Sequence, residues 1–385
     1  MFTLVIFLAV LSILVLVHEF GHFITARKFG AKAEEFGLGF PPRAIGIYKS
    51  KEGKWKKVYG PKEVTDAVDT VYSLNWLPLG GFVKIKGEDG ENNDPDSFVS
   101  RKMWQKAVIL SAGVTMNIVL AFAFISIGYM IGFPQAIDDG IVGGTVVDPQ
   151  IQVIDLLDNS VAQKAGIKAG DVITGIDGIK FENFSELQSY VDENVGKEIE
   201  YEVRRAYEDM TFSMVPEIRE ETDRGGVGVS IVELGTVKYS FFRSIWEGFK
   251  TTFIITWMIL LAFFGLIRDL IMGSGVGAEV AGPVGIATIT GQAARLGFAH
   301  LLQFTALLSI NLAIINILPI PALDGGRLLF LGIEKIKGSP IKRETEAIIH
   351  NTGFILLIIL ILVVTFNDIS HYSGPIKEFF SRIIN

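Results

Sequence analysis

Apolar residues are concentrated in five long runs along the chain. The runs lie at residues 2–24, 107–133, 252–267, 304–323 and 348–366. Each run approaches or exceeds the roughly 20 residues that a membrane-spanning helix needs. The pattern therefore predicts a multi-span α-helical membrane protein.

A different pattern occupies residues 134–250, where apolar and polar positions alternate over short stretches. Residues 151–157 and 198–203 predict strands, and residues 184–195 predict a helix. Acidic residues outnumber basic ones by about two to one in this region. We therefore expect a small α+β domain inserted between the second and third spans.

The charges that flank the first run indicate its orientation. The run has no basic segment before it and no small-residue cleavage site after it, so it is interpreted as an uncleaved helix and not as a secretory signal. Basic residues are numerous between residues 27 and 57, which places this loop in the cytoplasm by the positive-inside rule. The N-terminus and the inserted domain are then expected outside, on the periplasmic side.

Composition narrows the chemistry of the protein. Hydrophobic residues make up 49% of the chain, and the mean hydropathy is +0.42. Cysteine is absent, so a metal site must use His, Asp or Glu ligands, which leaves zinc, iron and manganese open. The net charge of −7 changes little, since its sign varies between segments, and nothing supports nucleic-acid binding.

The first apolar run contains the pattern H-E-x-x-H, formed by His18, Glu19 and His22. Two imidazoles four residues apart project from one face of a helix and can bind one metal ion, while Glu19 is offset toward a metal-bound water. The pattern also occurs in helices without a metal. Ionisable residues inside a span are costly and usually functional, and this favours the metal interpretation.

A zinc protease needs a third protein ligand and one coordination position left for water. Asp324 is the best candidate, because it follows an apolar run that Pro319 and Pro321 interrupt. A simple turn carboxylate before two glycines is the alternative. A rival arrangement is a membrane-anchored zincin that uses Glu334 as third ligand and acts on cytosolic or misfolded proteins.

The combination of these motifs resembles the site-2 protease family, which consists of intramembrane zinc metalloproteases of the M50 type, and the bacterial RseP type most of all. The resemblance is carried by H-E-x-x-H at 18–22, by N-x-x-P-x-x-x-L-D-G at 316–325, and by further matches at 36–40, 78–84, 282–286 and 323–330. Val114 departs from the proline expected in the stretch 112–117. The resemblance implies one catalytic Zn²⁺, and it implies single-span membrane proteins as substrates, such as anti-sigma factors or signal-peptide remnants.

Substrate contacts are also implied by this resemblance. Asn316 would hold the substrate backbone, with Asn311 assisting, and interhelical hydrogen bonding is the alternative for both asparagines. A substrate helix must unwind before a carbonyl reaches the metal, since all its amides are satisfied internally. The short strand that contains Gly81, Phe82 and Val83 is expected to pair with the unwound segment.

The inserted domain resembles a single PDZ domain. The matching residues are 159–173 and 176–178, where glycines supply tight turns and Asp171 can bond local backbone groups. Val161 stands where bacterial PDZ domains often have proline. A PDZ groove captures an extended peptide or a free C-terminus, or the domain acts only as a steric filter.

The position of Asp324 constrains the topology. Asp324 must lie on the same side of the bilayer as His22, so the run 304–323 must point inward and the run 252–267 must not cross. We therefore predict four spans, with a peripheral amphipathic helix at the outer interface. The predicted order is a first transmembrane helix at 1–26, a cytoplasmic loop with membrane-associated strands at 27–104, a second transmembrane helix at 105–133, the PDZ domain at 140–232, the peripheral region at 240–272, a third transmembrane helix at 300–331, a fourth at 346–367 and a tail at 368–385.

These inferences predict an intramembrane zinc endopeptidase in a bacterial cytoplasmic membrane, with its active site in the cytoplasmic half of the bilayer. Zinc would acidify a water and polarise the scissile carbonyl, and Glu19 would take the proton and deliver it to the leaving amine. The lipid bilayer and single-span substrates are the expected partners, and the chain is expected to be monomeric. The alternative outside enzymes is a catalytically silent PDZ scaffold in the membrane.

Overall fold

The computed structural model of the chain describes residues 2–88, 94–137, 141, 143–205, 208–219, 224–273, 281–339 and 341–371. The chain divides into two compact units, one formed by Met1–Ile125 with Gly248–Asn385 and the other by Ser126–Glu247. The first unit holds the helices with the predicted motifs, and the second holds the inserted domain.

Seven helices with at least 14 residues occur in the described part of the chain. They are α1 (Phe2–Lys28), α2 (Met103–Ile131), α5 (Phe241–Met272), α6 (Pro283–Leu296), α7 (Phe298–Ile317), α8 (Asp324–Lys337) and α9 (Arg343–His371). Five of them, α1, α2, α5, α7 and α9, are long and apolar enough to cross a membrane by length and composition. A helix is thus present at each of the five apolar runs, as predicted, while α6 was not predicted.

The third predicted span, at residues 300–331, was wrong as a single helix. Helix α7 ends at Ile317 and α8 begins at Asp324, with a turn between them. Pro319 and Pro321 lie in this turn, and proline interrupts a helix because it has no amide hydrogen and its ring clashes with the preceding turn. The final helix also differs, since α9 continues to His371, beyond the predicted start of a tail at residue 368; residues 372–385 lie outside the described residues.

Three strands follow α1 and form an antiparallel sheet. They are β1 (Ala33–Lys49), β2 (Trp55–Tyr59) and β3 (Val71–Ile85), in the order β2-β1-β3. The first half of β1 pairs with the second half of β3, with Phe36 opposite Val83. The sheet packs against α1, where the rings of Phe23 and Phe36 stack at 4.7 Å. This packing sets the end of β3, an edge strand, beside the motif helix.

The second unit is an α+β domain around a six-stranded sheet. Its elements are β4 (Phe133–Ala136), β5 (Thr145–Leu156), α3 (Val161–Ala165), β6 (Val172–Ile176), α4 (Phe184–Glu193), β7 (Ile199–Arg205), β8 (Glu208–Met214), β9 (Glu217–Arg219), β10 (Arg224–Gly226) and β11 (Val229–Lys238). The sheet order is β4-β11-β5-β6-β7-β8, and β9 pairs with β10. The predicted strands and helix are confirmed. The sheet extends past the predicted bounds of 140–232 because Phe133 of β4 pairs with Val237 of β11.

A buried carboxylate joins two parts of this domain. Asp171 accepts hydrogen bonds from the amide of Lys168 at 2.8 Å and from Arg205 Nε and Nη2 at 2.7 Å each. Burial raises the pKa of Asp171, but the hydrogen bonds from Arg205 and Lys168 outweigh it and hold that pKa below its ordinary value. The predicted local bonding of Asp171 is thus confirmed, and its ionised form stabilises the loop before β6.

Candidate metal centre

Helix α1 presents two imidazoles on one face. His18 and His22 are four residues apart, so the helix repeat brings their side chains one above the other. Both residues are buried, and their Nε2 atoms lie 3.2 Å apart. The helix repeat thus brings two ring nitrogens close enough to bind the same ion.

The third group comes from the turn between α7 and α8. Asp324 is the first residue of α8 and has a side chain 22% exposed. Gly325 follows it, and a Cβ atom there would lie 2.1 Å from the carbonyl oxygen of Leu318 and 2.3 Å from that of Ile317. Only glycine allows α8 to start this close to the end of α7, and this close approach carries Asp324 to the histidines.

The three side chains fit one tetrahedral metal ion. Asp324 Oδ2 lies 3.0 Å from His18 Nε2 and 3.3 Å from His22 Nε2. Ligands bound to a tetrahedral zinc at about 2.0–2.1 Å lie about 3.3 Å from one another. The observed separations of 3.0, 3.2 and 3.3 Å match this value closely enough for one ion to touch all three atoms. Two imidazoles and a carboxylate are also a donor set that zinc accepts.

Hydrogen bonds to the other ring nitrogens orient the imidazoles. His22 Nδ1 lies 2.8 Å from the carbonyl oxygen of Ile109, so Nδ1–H donates and Nε2 keeps its lone pair for a metal. His18 Nδ1 lies 3.2 Å from Nδ2 of Asn117. In the described part of the chain, Asn117 Oδ1 is buried without a partner. A 180° rotation of this amide would let Oδ1 accept the Nδ1–H of His18.

Two residues of α2 that support the candidate ligands, Asn117 and Gly113, were not predicted from the sequence. Asn117 lies fully buried in α2, and a polar residue within a span is itself a signal of function. Gly113 of α2 faces the imidazoles, and a Cβ there would lie 2.4 Å from His22 Nε2 and 2.7 Å from His18 Nε2. A side chain at Gly113 would occupy the space beside the ligand atoms.

Glu19 lines the same cavity as His22 and Asp324. The cavity has a volume of about 550 Å³ and is bounded by the end of β3 and the start of α8. Glu19 is half-buried, and its Oε2 accepts a hydrogen bond from the amide of Val83 at 3.1 Å. A carboxylate held beside the three candidate ligands is positioned to take a proton from a water at the metal.

Further charged residues, including Lys86, Glu88 and Arg327, line the cavity. Arg327 of α8 forms an ion pair with Glu88, which follows β3. The Lys86 ammonium lies 2.7 Å from both Asp94 and Asp96, and its hydrogen bonds to them raise its pKa to about 12. The lining of the cavity therefore contains charged side chains as well as the candidate metal ligands His22 and Asp324.

The remaining predicted residues have separate positions. Phe82 and Val83 line the cavity, while Gly81, Asn311 and Asn316 are not among the described residues that line it. Asn311 Nδ2 donates to the carbonyl oxygen of Leu307 at 3.1 Å, within α7. The predicted substrate contacts of all five residues stay predictions.

The rival third ligand, Glu334, lies near the other end of α8. Its Oε1 accepts a hydrogen bond from the amide of Ile341 at 2.9 Å. In the described part of the chain, the group of side chains close enough to share a metal consists of His18, His22 and Asp324. The geometry therefore favours Asp324 over Glu334.

Two histidines, a carboxylate and a neighbouring glutamate, set among helices apolar enough to span a membrane, define the class of membrane-bound metallohydrolases. The sequence matches the profile of peptidase family M50 over residues 6–360. The chain belongs to that family, and it is therefore a zinc metalloprotease.

Individual relatives agree with this assignment. The regulator of sigma-W protease RasP of Bacillus subtilis is 30% identical, and the match covers 95% of this chain and 98% of that protein. The zinc metalloprotease RasP of Oceanobacillus iheyensis is also 30% identical, over 96% of this chain and 99% of its own. Among solved structures, the chain is similar to the PDZ domain of an SdrC-like protein from Listeria monocytogenes. The match covers 23% of this chain and 92% of that chain, with 22% identity. The TM-score is 0.21, which is too low to assign the fold of the second unit.

Proposed function

We propose that the chain is an intramembrane endopeptidase that cleaves the transmembrane segments of single-span membrane proteins. The observation that carries the proposal is the convergence of His18, His22 and Asp324 within 3.3 Å of one another among apolar helices. A site in such helices suits a substrate that is itself a membrane span. Anti-sigma factors and signal-peptide remnants are the substrate types that we propose, in keeping with the name of the sigma-W relative.

In the proposed mechanism His18, His22 and Asp324 hold one zinc ion. Zinc bound there supplies a water of lowered pKa and a Lewis acid for the scissile carbonyl. Glu19 accepts the proton of the attacking water and delivers it to the leaving amine. The present bond from the Val83 amide to Glu19 Oε2 fixes this carboxylate at the cavity wall before substrate arrives.

We propose that substrate binds as an unwound strand along the outer edge of β3, at Gly81, Phe82 and Val83. The edge position of β3 in the order β2-β1-β3 supports this, since its outer side has no strand partner in the described sheet. Asn316 and Asn311 are proposed to hold the substrate backbone from α7. The Val83 amide, which now bonds Glu19, would have to be shared or exchanged when a substrate pairs there.

We propose four spans, α1, α2, α7 and α9, with the second unit between the second and third of them. Helix α5 would then lie at the outer membrane interface. Large apolar side chains are exposed along it at helical spacing, namely Phe242, Trp246, Phe249, Phe253 and Trp257. Such an aromatic stripe suits the boundary between headgroups and acyl chains. In this arrangement the protein resides in the bacterial cytoplasmic membrane, with its metal in the cytoplasmic half and the second unit outside.

The second unit is proposed to act as a PDZ domain. A cavity of about 340 Å³ lies between α4 and the start of β11, with Leu187 and Val191 on one side and Val229 and Ile231 on the other. A peptide or C-terminus could add there as a strand, and a size filter is the alternative role. The enzyme itself is proposed to be monomeric.

The proposal is tested with the full chain in liposomes that contain single-span proteins. We expect the native protein to bind one zinc ion per chain and to cut within the span of its substrate. The Glu19→Gln variant should keep its substrates bound, and mass spectrometry of the trapped proteins should identify single-span proteins. Trapping of cytosolic proteins instead would favour the zincin alternative, and binding without any cleavage by the native chain would favour the scaffold.

The proposed topology has its own test. Single cysteines at Lys250 and Gly273 flank the apolar part of α5, and the chain has no native cysteine to interfere. Both positions should react with a membrane-impermeant thiol reagent from the same side of intact cells. Labelling from opposite sides would make α5 a fifth span and would refute the four-span arrangement.

A further inference from the structure

The turn that presents Asp324 is bonded to the last helix. The amide of Ala322 donates a hydrogen bond to Nδ1 of His350 in α9 at 2.9 Å. We propose that His350 is a positioning residue for the third metal ligand, acting through this bond on a turn two residues before Asp324. The proposal rests on the proposed role of Asp324.

The bond matters because the rest of the turn is satisfied locally. The amides of Leu318, Ile320 and Leu323 donate to carbonyl oxygens of Ile315, Leu318 and Ile320, and the two prolines have no amide hydrogen. The amide of Ala322 instead finds its acceptor in α9, 28 residues later in sequence. Ala322 also has φ +77°, a left-handed conformation that residues with a Cβ rarely adopt unless their surroundings fix it.

A second contact one helical turn along α9 supports the same arrangement. A Cβ atom at Gly353 would lie 2.5 Å from Pro321 Cβ and 2.8 Å from the Pro321 carbonyl oxygen. The backbone of α9 therefore lies directly on the turn. The imidazole of His350 also packs against the ring of Phe330 in α8, with ring centroids 5.2 Å apart. The half-buried His350 thus lies between the turn and the helix that Asp324 begins.

The hydrogen bond also fixes the chemical state of the imidazole. Because Nδ1 accepts from an amide, the ring is neutral and its proton is on Nε2. Nε2 is buried and has no hydrogen-bond partner among the described residues. The ring therefore has one directed polar contact within the described structure, and this contact is the one that holds Ala322.

Loss of this acceptor should loosen Asp324 while leaving the two imidazoles of α1 in place. The full chain would be purified in parallel as His350→Leu, His350→Asn and Asn351→Leu. Leucine keeps the branched shape of the imidazole but has no acceptor. The Oδ1 of asparagine is attached to Cγ as Nδ1 is, so it can accept the same bond. Asn351 is an exposed neighbour on α9 and provides the matched control.

Two measurements separate positioning from general stability. Zinc affinity, from competition with a chelator, should fall about tenfold or more in His350→Leu, as for other outer-shell partners of metal ligands. Hydrogen exchange in the peptide that covers residues 318–326 should accelerate in the same variant, with or without zinc. His350→Asn should restore both values to within about threefold of the native protein, and Asn351→Leu should leave both unchanged.

Equal zinc affinity and exchange in native and His350→Leu proteins would refute the positioning role. Equal losses in the leucine and asparagine variants would also refute it, because packing and not the acceptor would then be responsible. Failure of the native chain to bind zinc would instead refute the proposed function, and the exchange measurement would still decide whether His350 holds the turn.

Discussion

Helix α1 and the turn between α7 and α8 supply the candidate metal ligands in different ways. In α1, the helix repeat sets His18 beside His22, and contacts with Ile109 and Asn117 of α2 orient their rings. In the turn, Asp324 depends on the contact of Gly325 with the end of α7 and on the bond from Ala322 to His350. The ligands of α1 should therefore be less sensitive than Asp324 to changes outside their own helix, while Asp324 should respond to changes in three helices.

The first prediction separates the base from the ligands within α1. Glu19→Gln should lower kcat/KM for cleavage by roughly 10⁴-fold, because glutamine cannot take the proton from the attacking water. Zinc content should stay at the native value, since both imidazoles and Asp324 are unchanged. Peptide cleavage and metal analysis of the same sample measure the two effects. If zinc is lost together with activity, Glu19 holds the metal and is not only a base.

The second prediction concerns the turn. Asp324→Asn should weaken zinc binding by about 100-fold or more, because a neutral amide replaces a charged ligand in a buried site. Cleavage should fall in parallel at limiting zinc. Glu334→Gln provides the matched control on the same helix and should retain native zinc affinity, since Glu334 bonds the amide of Ile341. The reverse result, with zinc lost from the Glu334 variant alone, would support the zincin arrangement.

The same comparison explains what the sequence could predict about the site. His18, Glu19 and His22 were identifiable because an i, i+4 spacing is a local property of a helix. Asp324 was identifiable from an apolar run with two prolines and from family resemblance. Asn117 and His350 were not assigned roles, because their contacts with α1 and with the turn depend on how α2 and α9 pack, and no local pattern encodes that packing.

The fold shows the same division between local and long-range features. Apolar runs and alternating stretches predicted the five long helices and the strands of the second unit, since each reflects a period in the local sequence. The break between α7 and α8 was not predicted, since residues 300–331 were assigned to one helix. Helix α6 was not predicted, because its start depends on a distant residue. Asp368 of α9 accepts hydrogen bonds from the amides of Gly282 at 3.1 Å and Gly285 at 2.8 Å.

The third prediction tests how strictly the turn requires its glycine. Gly325→Ala should disturb the start of α8 by up to about 3 kcal/mol, because the new Cβ meets backbone carbonyls that cannot move aside. That energy corresponds to a loss of up to about 150-fold in zinc affinity if it acts wholly on the position of Asp324. Chelator competition measures this loss.

Gly332 provides the matched control for this change. It lies in the same helix, and a Cβ there meets no atom within 4 Å. Gly332→Ala should leave zinc affinity unchanged and stabilise α8 by about 1 kcal/mol or less, because alanine favours a helix more than glycine does. Equal behaviour of the two alanine variants would show that the close approach at Gly325 is not needed to place Asp324.

The last prediction concerns how far the metal ligands of α1 depend on contacts with α2. Outside α1, Nε2 of His18 lies 3.0 Å from Oδ2 of Asp324, and Nδ1 of His18 lies 3.2 Å from Nδ2 of Asn117 in α2. Asn117→Leu should weaken zinc binding by about 10- to 100-fold, because the Nδ1–H of His18 would lose its acceptor. Asn117→Asp keeps an acceptor oxygen and should retain most of the affinity. If the leucine variant binds zinc as the native chain does, the helix repeat alone orients His18, and the contrast between α1 and the turn is sharper than the structure suggests. A loss as large as that of Asp324→Asn would instead remove the contrast, since both parts of the site would then depend equally on contacts between distant helices.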